Sequence, residues 1–493
     1  MTDKHEVELK LEVEPGFEEA VIAALGLGSP TTKHLHAVYY DTPAKALREA
    51  GISLRIRRAG DRYIQTIKLA SGRGAGFFDR AEWERELAGD SLDLHAIDEA
   101  GLQQVVDPVA WNALRPAFAI DVERRIWHVA RFGAKVEMVL DRGSAQANDR
   151  QDIVCEFELE LIEGSTAALF ELAHLLTDAA PVRIGVQTKA ERGYRLLEAM
   201  GDIHAKAEPL QLPGDATVAE AFAMIVQACL RHFRLNEPLI SRRDAAGLHQ
   251  ARVALRRLRS ALSLFAKVIT DGRSDGLRLG LRELAGTLGE ARSLDVLLES
   301  LADEQVSDDL VAHLRAAREA AYDAVIARLA SAATRHLIID MLEWSELGEW
   351  RSRRSPDAVA LREQSARAFG GEVLDRHRRR LKKRGRDLAT LEPEARHDVR
   401  IEAKKLRYAS EFFLSLFDDK KARRRAKTFL NALEALQSSL GTLNDIATGK
   451  QMAQGLAAQG IHLPATGDAD EAALLSKAEA AHDAFADARP FWR

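Results

Sequence analysis

The sequence predicts a multidomain α+β chain. An N-terminal eight-stranded antiparallel β tunnel or barrel with flanking helices is followed by an all-α duplicated helical bundle. Three observations predict this. Up to about Arg195 apolar residues recur at every second position, the period of half-buried strands. From about Asp215 they recur at three- and four-residue spacing, the period of amphipathic helices. A single eleven-residue pattern occurs twice within that helical region.

The strand region begins with His5–Val13 (HEVELKLEV), where Glu6, Glu8, Lys10 and Glu12 alternate with Val7, Leu9, Leu11 and Val13. Similar alternation runs through Ser53–Arg57, Tyr63–Leu69, Arg80–Leu87, Val136–Leu140 and Val154–Ile162. Turn signals at Ala59-Gly60-Asp61 and in the Gly-rich Ser71–Gly76 separate these runs. About eight strands with few helices between them imply antiparallel pairing. A sheet of that size can close around a space for one small ligand.

Residues 1–203 form the expected first domain and residues 204–214, containing two prolines, the linker. Residues 215–490 form the helical domain, with repeats at about 215–350 and 360–490. Asp215 or Thr217 is the expected cap of its first helix. The break Gly460–Gly467 precedes a last helix, Glu471–Asp487.

Composition excludes several classes. The chain of 493 residues is 46% hydrophobic and 29% charged, which supports packed cores rather than disorder. Its 2 cysteines, Cys155 and Cys229, make no disulfide framework and no C-x-x-C zinc pattern. Met1–Lys10 carries charges throughout, so no secretory signal is expected. No apolar run reaches the roughly 20 residues that span a bilayer. The expected setting is cytoplasmic. A net charge of −5 excludes a uniformly basic nucleic-acid binder but not basic patches.

The repeat supplies such patches. His249–Arg259 (HQARVALRRLR) and His397–Arg407 (HDVRIEAKKLR) share H-x-x-R-x-x-x-(R/K)-(R/K)-L-R, 148 residues apart. On a helix His249, Arg252, Arg256, Arg257 and, at the margin, Arg259 share one broad face. His397, Arg400, Lys404, Lys405 and Arg407 form its twin. A single basic helix is usually a solvated face. A repeated stripe matches a polyanion, whose phosphates meet point charges with little sequence reading. Stacking aromatics are absent from the stripes apart from Tyr408, which argues against nucleic acid. Each stripe is followed by a similar run, Leu284–Leu297 and Leu436–Ile446. Asp295 and Asp445 in those runs are candidates to brace the stripes by ion pairing. A third basic run, Arg376–Arg386, either widens the polyanion surface or is an exposed face compensated by acids.

The strand region has its own charged rows. Glu6-x-Glu8-x-Lys10 projects to one strand face, and Glu156, Glu158 and Glu160 form a second acid row. Arg55 with Arg57, Lys68 and Arg124 add bases, while Arg80, Glu82 and Glu84 form either a mixed salt-bridge row or belong to the same set. A barrel with such strands is polar outside and apolar inside, or the reverse under a helical coat. The inward arrangement has a chemical rationale. Carboxylates suit Mg²⁺ and Mn²⁺, and Arg and Lys suit phosphate oxygens.

With Val38–Thr42 (VYYDT), Leu54–Arg57 (LRIR), Thr66–Lys68 (TIK), Arg124, Glu137–Asp141 (EMVLD), Cys155–Leu161 (CEFELEL) and Lys189 in order, residues 1–200 resemble the CYTH superfamily, the triphosphate tunnel metalloenzymes. That resemblance implies an inward-facing tunnel. It implies metal ligation of Mg²⁺ or Mn²⁺ by Glu6, Glu8, Glu156 and Glu158, with Glu160 and Asp141 as further ligands. It implies catalytic roles for Glu6, Glu8 and Lys10, and triphosphate binding by Lys10, Arg55, Arg57, Lys68, Arg124 and Lys189. The helical region resembles the CHAD domain on His249-x-x-Arg252 and His397-x-x-Arg400, which implies inorganic polyphosphate as partner. Together they resemble bacterial CYTH–CHAD inorganic triphosphatases. The implied activity is hydrolysis of tripolyphosphate to pyrophosphate and phosphate, in the cytoplasm near polyphosphate granules. The alternatives are a class IV-type adenylate cyclase, a thiamine or nucleoside triphosphatase, and a polyphosphate binder without catalysis. A thiamine site calls for an aromatic platform, for which Trp83 and Trp127 are available.

Overall fold

A computed structural model describes residues 2–69, 74–95, 102, 108–199, 203–302, 306–457 and 471–493, with backbone alone for 2–5, 444, 445, 447–457 and 471. Contacts divide the chain into two compact units. The first holds residues 1–205, 230–239 and 329–347; the second holds 206–229, 240–328 and 348–493. Two stretches from beyond the linker therefore belong to the first unit.

The first unit is built on a closed antiparallel barrel. Its strands are β1 (Thr2–Val13), β2 (Thr31–Asp41), β3 (Ile52–Ala59), β4 (Arg62–Leu69), β5 (Phe77–Leu87), β6 (Arg115–Arg131), β7 (Ala134–Ala147) and β8 (Arg150–Glu163). They neighbour in the order β5-β4-β3-β2-β6-β7-β8-β1, and β1 pairs back to β5. The length of β1 makes closure possible. Its residues 2–9 pair with β5, residues 8–12 pair with β8, and Leu11–Val13 carry a short ninth strand, β9 (Val182–Ile184). Gly76 fits this junction because its φ is +86° and a Cβ there would lie 2.3 Å from the Ile184 side chain. Its carbonyl accepts from Lys10 N at 2.7 Å.

The flanking helices are α1 (Glu18–Leu25), α2 (Ala46–Glu49), α3 (Pro108–Trp111), α4 (Ala167–Ala179) and α5 (Lys189–Leu197). On β1 and β8 the apolar residues Leu9, Leu11, Phe157 and Leu159 are fully buried on the outer face. Leu169, Phe170, Leu172 and Leu176 of α4 are buried equally, and Phe77 meets Phe170 at 5.8 Å between ring centroids. Burial of each such side chain contributes about 2 kcal/mol. The charged rows therefore face inward under a helical coat, and the polar-outside arrangement is excluded.

The interior is not charged throughout. Along β2 and β6 the inward row runs Leu35, Ala37, Tyr39 and Phe118, Ile120, Val122, and these pack with Val154, Tyr194 and Leu196 as an apolar plug. Tyr39 stacks on Phe118 at 4.8 Å, and Phe118 meets Tyr194 edge to face at 4.9 Å. Helix α5 supplies Tyr194. Thr188 begins α5 with a capping box, accepting from Glu191 N while the Glu191 carboxylate accepts from Thr188 N.

In the chain after the linker the longer helices are α6 (Val218–Ser241), α7 (Ala245–Leu264), α8 (Ser274–Ser300), α9 (Asp308–Ala330), α10 (Ala332–Leu347), α11 (Ala366–Arg384), α12 (Pro393–Phe413), α13 (Lys420–Ala457) and α14 (Glu471–Asp487). Among the described residues none is long and apolar enough to cross a membrane. Thr217 caps α6 through a reciprocal pair with Glu220. In the second unit α7 packs on α8, α12 on α13, and α7 meets α12. Phe222, Phe265, Phe369 and Phe413 fill the core between them. Thr217 pairs with Ser365 in an isolated antiparallel bridge, with Val218 N donating to Gln364 O at 2.9 Å and Ala366 N to Ala216 O at 2.8 Å. Thr217 and Ser365 are 148 residues apart, the offset of His249 and His397. Equivalent residues pairing with each other mark a pseudo-two-fold axis through the duplicated unit.

Candidate functional site

The barrel strands bring the charged rows around a cavity of about 250 Å³. Cross-strand register sets the pairs. Glu6 lies opposite Arg80, Lys68 opposite Glu82, Arg124 opposite Asp141, and Lys10 opposite Glu158. The side chains follow that register. Lys10 Nζ donates to Glu156 at 2.8 Å and Glu158 at 2.6 Å. Lys189, the first residue of α5, reaches Glu156 at 2.5 Å, Asp141 at 2.6 Å and Glu158 at 2.8 Å. Arg124 grips Asp141 through two nitrogens, at 2.8 and 2.5 Å, and Glu158 at 3.0 Å. Lys68 reaches Glu6 at 2.8 Å and Glu82 at 3.1 Å, while Arg80 bridges Glu6 at 3.0 Å and Glu8 at 2.6 Å.

All twelve sequence-predicted tunnel residues gather here. Glu6, Glu8, Lys10, Arg55, Arg57, Lys68, Arg124, Glu158, Glu160 and Lys189 line the cavity, and Asp141 and Glu156 stand behind Lys189 and Lys10. Arg80, Glu82 and Glu84, left between two readings, line it as well, and the sequence passed over Tyr39, Ser53, Thr66 and Glu137. Thr66 and Glu137 were visible as inward positions of alternating strands, but their chemistry marked them less than a charge run does. Trp83 and Trp127 do not line the cavity. Trp83 packs outward against the Leu47–Leu54 cluster, and Trp127 donates its indole N–H to Gly28 O at 2.8 Å. Tyr39 is the aromatic lining residue among those described, and Arg55 donates to its hydroxyl at 3.3 Å.

The electrostatics divide the cavity. Burial opposes ionisation of Glu6, but Lys68 and Arg80 outweigh it and hold the carboxyl down at about 2. Glu8 goes the other way: burial raises it, with Arg80 opposing and Glu158 and Glu6 adding. Burial, with Arg55 and Arg124 close by, lowers Arg57 to about 10. Arg55, Arg57 and Arg124 thus make a wall of guanidinium charge, crowded enough to favour an arriving anion.

Hard divalent cations fit the opposite side. Asp141, Glu156 and Glu158 offer oxygens within 4.8 Å of one another. Glu156 Oε2 is buried without a hydrogen-bond partner among the described residues, an unsatisfied acceptor beside its neighbours. An all-oxygen donor set suits Mg²⁺ or Mn²⁺. Glu6 and Glu8 lie on the Arg80 side as a second acid pair.

The helical stripes are organised differently. Arg252 donates to Ala285 O at 3.1 Å, and its guanidinium lies over Gly289 of α8, where a Cβ would come 2.8 Å from Nη1. Arg400 approaches Gly441 of α13 more loosely, at 3.9 Å from where a Cβ would stand. The Leu-Gly pair downstream of the first stripe thus leaves room for its arginine, while that of the second is in ordinary contact with its own. Burial, together with Arg256 and Arg292, lowers Arg252 to about 10. Burial and the same arginines lower His249, so its imidazole is neutral near pH 7. Arg259 sits beside Arg282. In the second copy His397 is exposed and Arg400, Lys404 and Lys405 are half-buried.

Three expectations of position change. Arg257 does not share the stripe. It is buried, ion-paired with Glu411, and lies over the Phe412 ring at 5.0 Å. Eight residues from His249 leave it about 80° around the helix, far enough for the core to capture it. Arg407 also turns to Glu411, at 3.0 Å, so one carboxylate joins the two copies. Asp295 does not brace the stripe; it accepts from Arg318 at 2.7 Å and Tyr322 at 2.9 Å. The Asp445 side chain lies outside the described residues. The run Arg376–Arg386 splits. His377 is buried against Glu402 at 2.5 Å, and Arg378 and Lys382 donate to carbonyls at the end of α14, while Arg379, Arg380, Lys383, Arg384 and Arg386 are exposed.

Family comparison agrees with this division. Residues 4–194 match the model of the CYTH domain and residues 224–454 that of the CHAD domain. The uncharacterized protein Rv2226 of Mycobacterium tuberculosis is 28% identical over 454 residues, covering 82% of each chain. Among solved structures, the CHAD domain from the plant Ricinus communis is 29% identical, covering 58% of this chain and 94% of that one with a TM-score of 0.46. HpAC1 from Hippeastrum, described as revealing a dominant triphosphatase activity, is 16% identical, covering 40% of this chain and 96% of that one with a TM-score of 0.29. The chain thus carries a CYTH domain and a CHAD domain on one polypeptide.

Proposed function

We propose that the tunnel hydrolyses inorganic tripolyphosphate to pyrophosphate and phosphate with Mg²⁺ or Mn²⁺, and that the helical domain binds inorganic polyphosphate. The observation that carries the reading is the ring of buried acid–base pairs around one cavity. Each pair can exchange partners. Lys10, Lys68, Arg80 and Lys189 would pass from carboxylates to phosphate oxygens, and the released Glu6, Glu8, Asp141, Glu156 and Glu158, with Glu160 beside them, would hold the metal. A metal held there would supply Lewis acidity toward the phosphoryl oxygens. Arg55, Arg57 and Arg124 hold the charge that builds on the transferred phosphoryl group. Water adds to a terminal phosphorus and gives up a proton to solvent, the bridging P–O bond breaks, and the leaving pyrophosphate keeps that oxygen. Outward placement of Trp83 and Trp127 disfavours a cationic organic ring as the substrate's other end.

On the helical domain, His249, Arg252 and Arg256 with their twins His397, Arg400 and Lys404 form two basic patches for successive phosphates. Such binding would place the protein in the cytoplasm beside polyphosphate granules. Phosphate release from tripolyphosphate, ATP and thiamine triphosphate, measured side by side with Mg²⁺ and then Mn²⁺, tests the proposal. The expected result is strong preference for tripolyphosphate. Cyclisation of ATP with tripolyphosphate left intact would overturn it.

A further inference from the structure

A second cluster of ligating groups lies outside the tunnel, between α4 and α10 of the first unit. His174 belongs to α4. His336, Asp340 and Glu343 occupy positions i, i+4 and i+7 of α10 and share one of its faces. His336 Nε2 stands 2.7 Å from Asp178 Oδ1, and His336 Nδ1 stands 2.8 Å from His174 Nδ1. The two rings stack with centroids 5.1 Å apart.

These contacts fix the tautomers. The Asp178 carboxylate accepts, so His336 Nε2 carries a hydrogen. In the neutral ring His336 Nδ1 then presents a lone pair, and His174 Nδ1 must donate to it. That leaves His174 Nε2 with its lone pair outward. It faces Asp340 Oδ1 at 3.6 Å and Glu343 Oε2 at 3.8 Å. Three electron-rich atoms converge, with Glu171 adding negative charge nearby. His174 Nε2 stands 3.6 Å from one carboxylate and 3.8 Å from the other, near the roughly 3.4 Å that bonds of about 2.1 Å at tetrahedral angles set between ligand atoms. Each side chain is partly exposed, so water can complete the shell.

We propose that His174, Asp340 and Glu343 bind a divalent transition-metal ion of the Zn²⁺ class, with His336 and Asp178 orienting the imidazole from behind. One imidazole among carboxylates favours such an ion over Mg²⁺, which prefers oxygen alone. The His174–His336–Asp178 relay is the arrangement that holds a ligating histidine in its tautomer. Bound there, the ion would staple α10 to α4, two segments 162 residues apart.

The test uses the full chain at pH 7.5. Zn²⁺ binding is measured by competition with a chromophoric chelator, and Co²⁺ is substituted for its visible absorption. Glu156→Gln, which alters the tunnel, should keep the Co²⁺ band. His174→Gln and Glu343→Gln should lose it, with Zn²⁺ affinity reduced at least about 10-fold, while Mg²⁺-supported hydrolysis is unchanged. Asp178→Asn should weaken Zn²⁺ roughly 10-fold through the relay. Circular dichroism checks folding, and Glu343→Gln stands in should His174→Gln fail to fold. Zn²⁺ binding that survives both substitutions, or a Co²⁺ band lost only in Glu156→Gln, would overturn the proposal. So would a melting temperature indifferent to Zn²⁺ that falls as pH rises beyond the ordinary imidazole range, because the Glu343 contact raises the His174 pKa and a proton would then be the occupant.

Discussion

The tunnel and the helical stripes use the same cations in opposite ways. In the tunnel each of Lys10, Lys68, Arg80, Arg124 and Lys189 lies within 3.1 Å of a carboxylate. On the first stripe Arg252 has arginines for neighbours and a backbone carbonyl as its oxygen partner. Burial explains the difference. A charge fully removed from water must be neutralised locally, whereas a half-buried one keeps part of its hydration and can stand without a carboxylate. The tunnel therefore stores its charge as exchangeable pairs, and the stripe presents a standing positive field. A tunnel of this kind selects by exchange of partners; a stripe selects by charge density.

The sharpest way to break that comparison is at Glu158, which meets Lys10, Lys189 and Arg124. Glu158→Ala should lower kcat/KM for tripolyphosphate on the order of 1000-fold, about 4 kcal/mol of transition-state stabilisation. Polyphosphate binding, read by filter retention, should be unchanged. Loss of both would mean the two regions are not independent.

The converse is Arg252→Ala with Arg256→Ala. Polyphosphate binding should weaken by roughly 10- to 100-fold, and the slope of log K against log salt should fall by about 2. Tripolyphosphate turnover should stay at the wild-type rate.

Arg257→Ala separates spacing from position. It removes a buried cation from Glu411 and from two aromatic rings, and should cost about 2 kcal/mol, or some 5 °C in the helical unit's midpoint by calorimetry. Polyphosphate affinity of the folded protein should not change.

The smallest effect belongs to the His377–Glu402 pair. Burial opposes ionisation of Glu402, but the His377 contact outweighs it and lowers its pKa. The pair's stabilisation is then present above pH about 4.5 and lost as pH falls through the folded value. Glu402→Gln should cost about 1 kcal/mol at pH 7, and the difference from wild type should vanish in acid denaturation well below pH 4.

Much of this was legible because strands alternate with a strict period. Glu6, Glu8 and Lys10 had to share a face, and so did Glu156, Glu158 and Glu160. What alternation cannot supply is register. Arg80, Glu82 and Glu84 stayed between two readings until Glu6 was seen opposite Arg80 and Lys68 opposite Glu82. The apolar plug was hidden for a similar reason. On β6 one inward row passes from Phe118, Ile120 and Val122 to Arg124, and period two names the face but not what fills it. Arg257 misled because a helical stripe is broad, and its margin belongs to whichever neighbour reaches it first. The cluster on α10 could be read as one face, but its partner His174 lies 162 residues earlier, beyond any local pattern.

Strand β1 holds one further consequence. It is synthesised before the other barrel strands, yet its pairing partners β8 and β9 end at Glu163 and Ile184. A nascent chain must therefore leave this strand's edge bare while some 150 further residues emerge. Contacts so distant in sequence make barrel closure a slow step in folding, and an unpaired edge is open to wrong partners meanwhile. Because Glu6, Glu8 and Lys10 ride on that strand, ring closure and assembly of the chemistry are one event. A partly folded chain of this protein cannot be a partly active one.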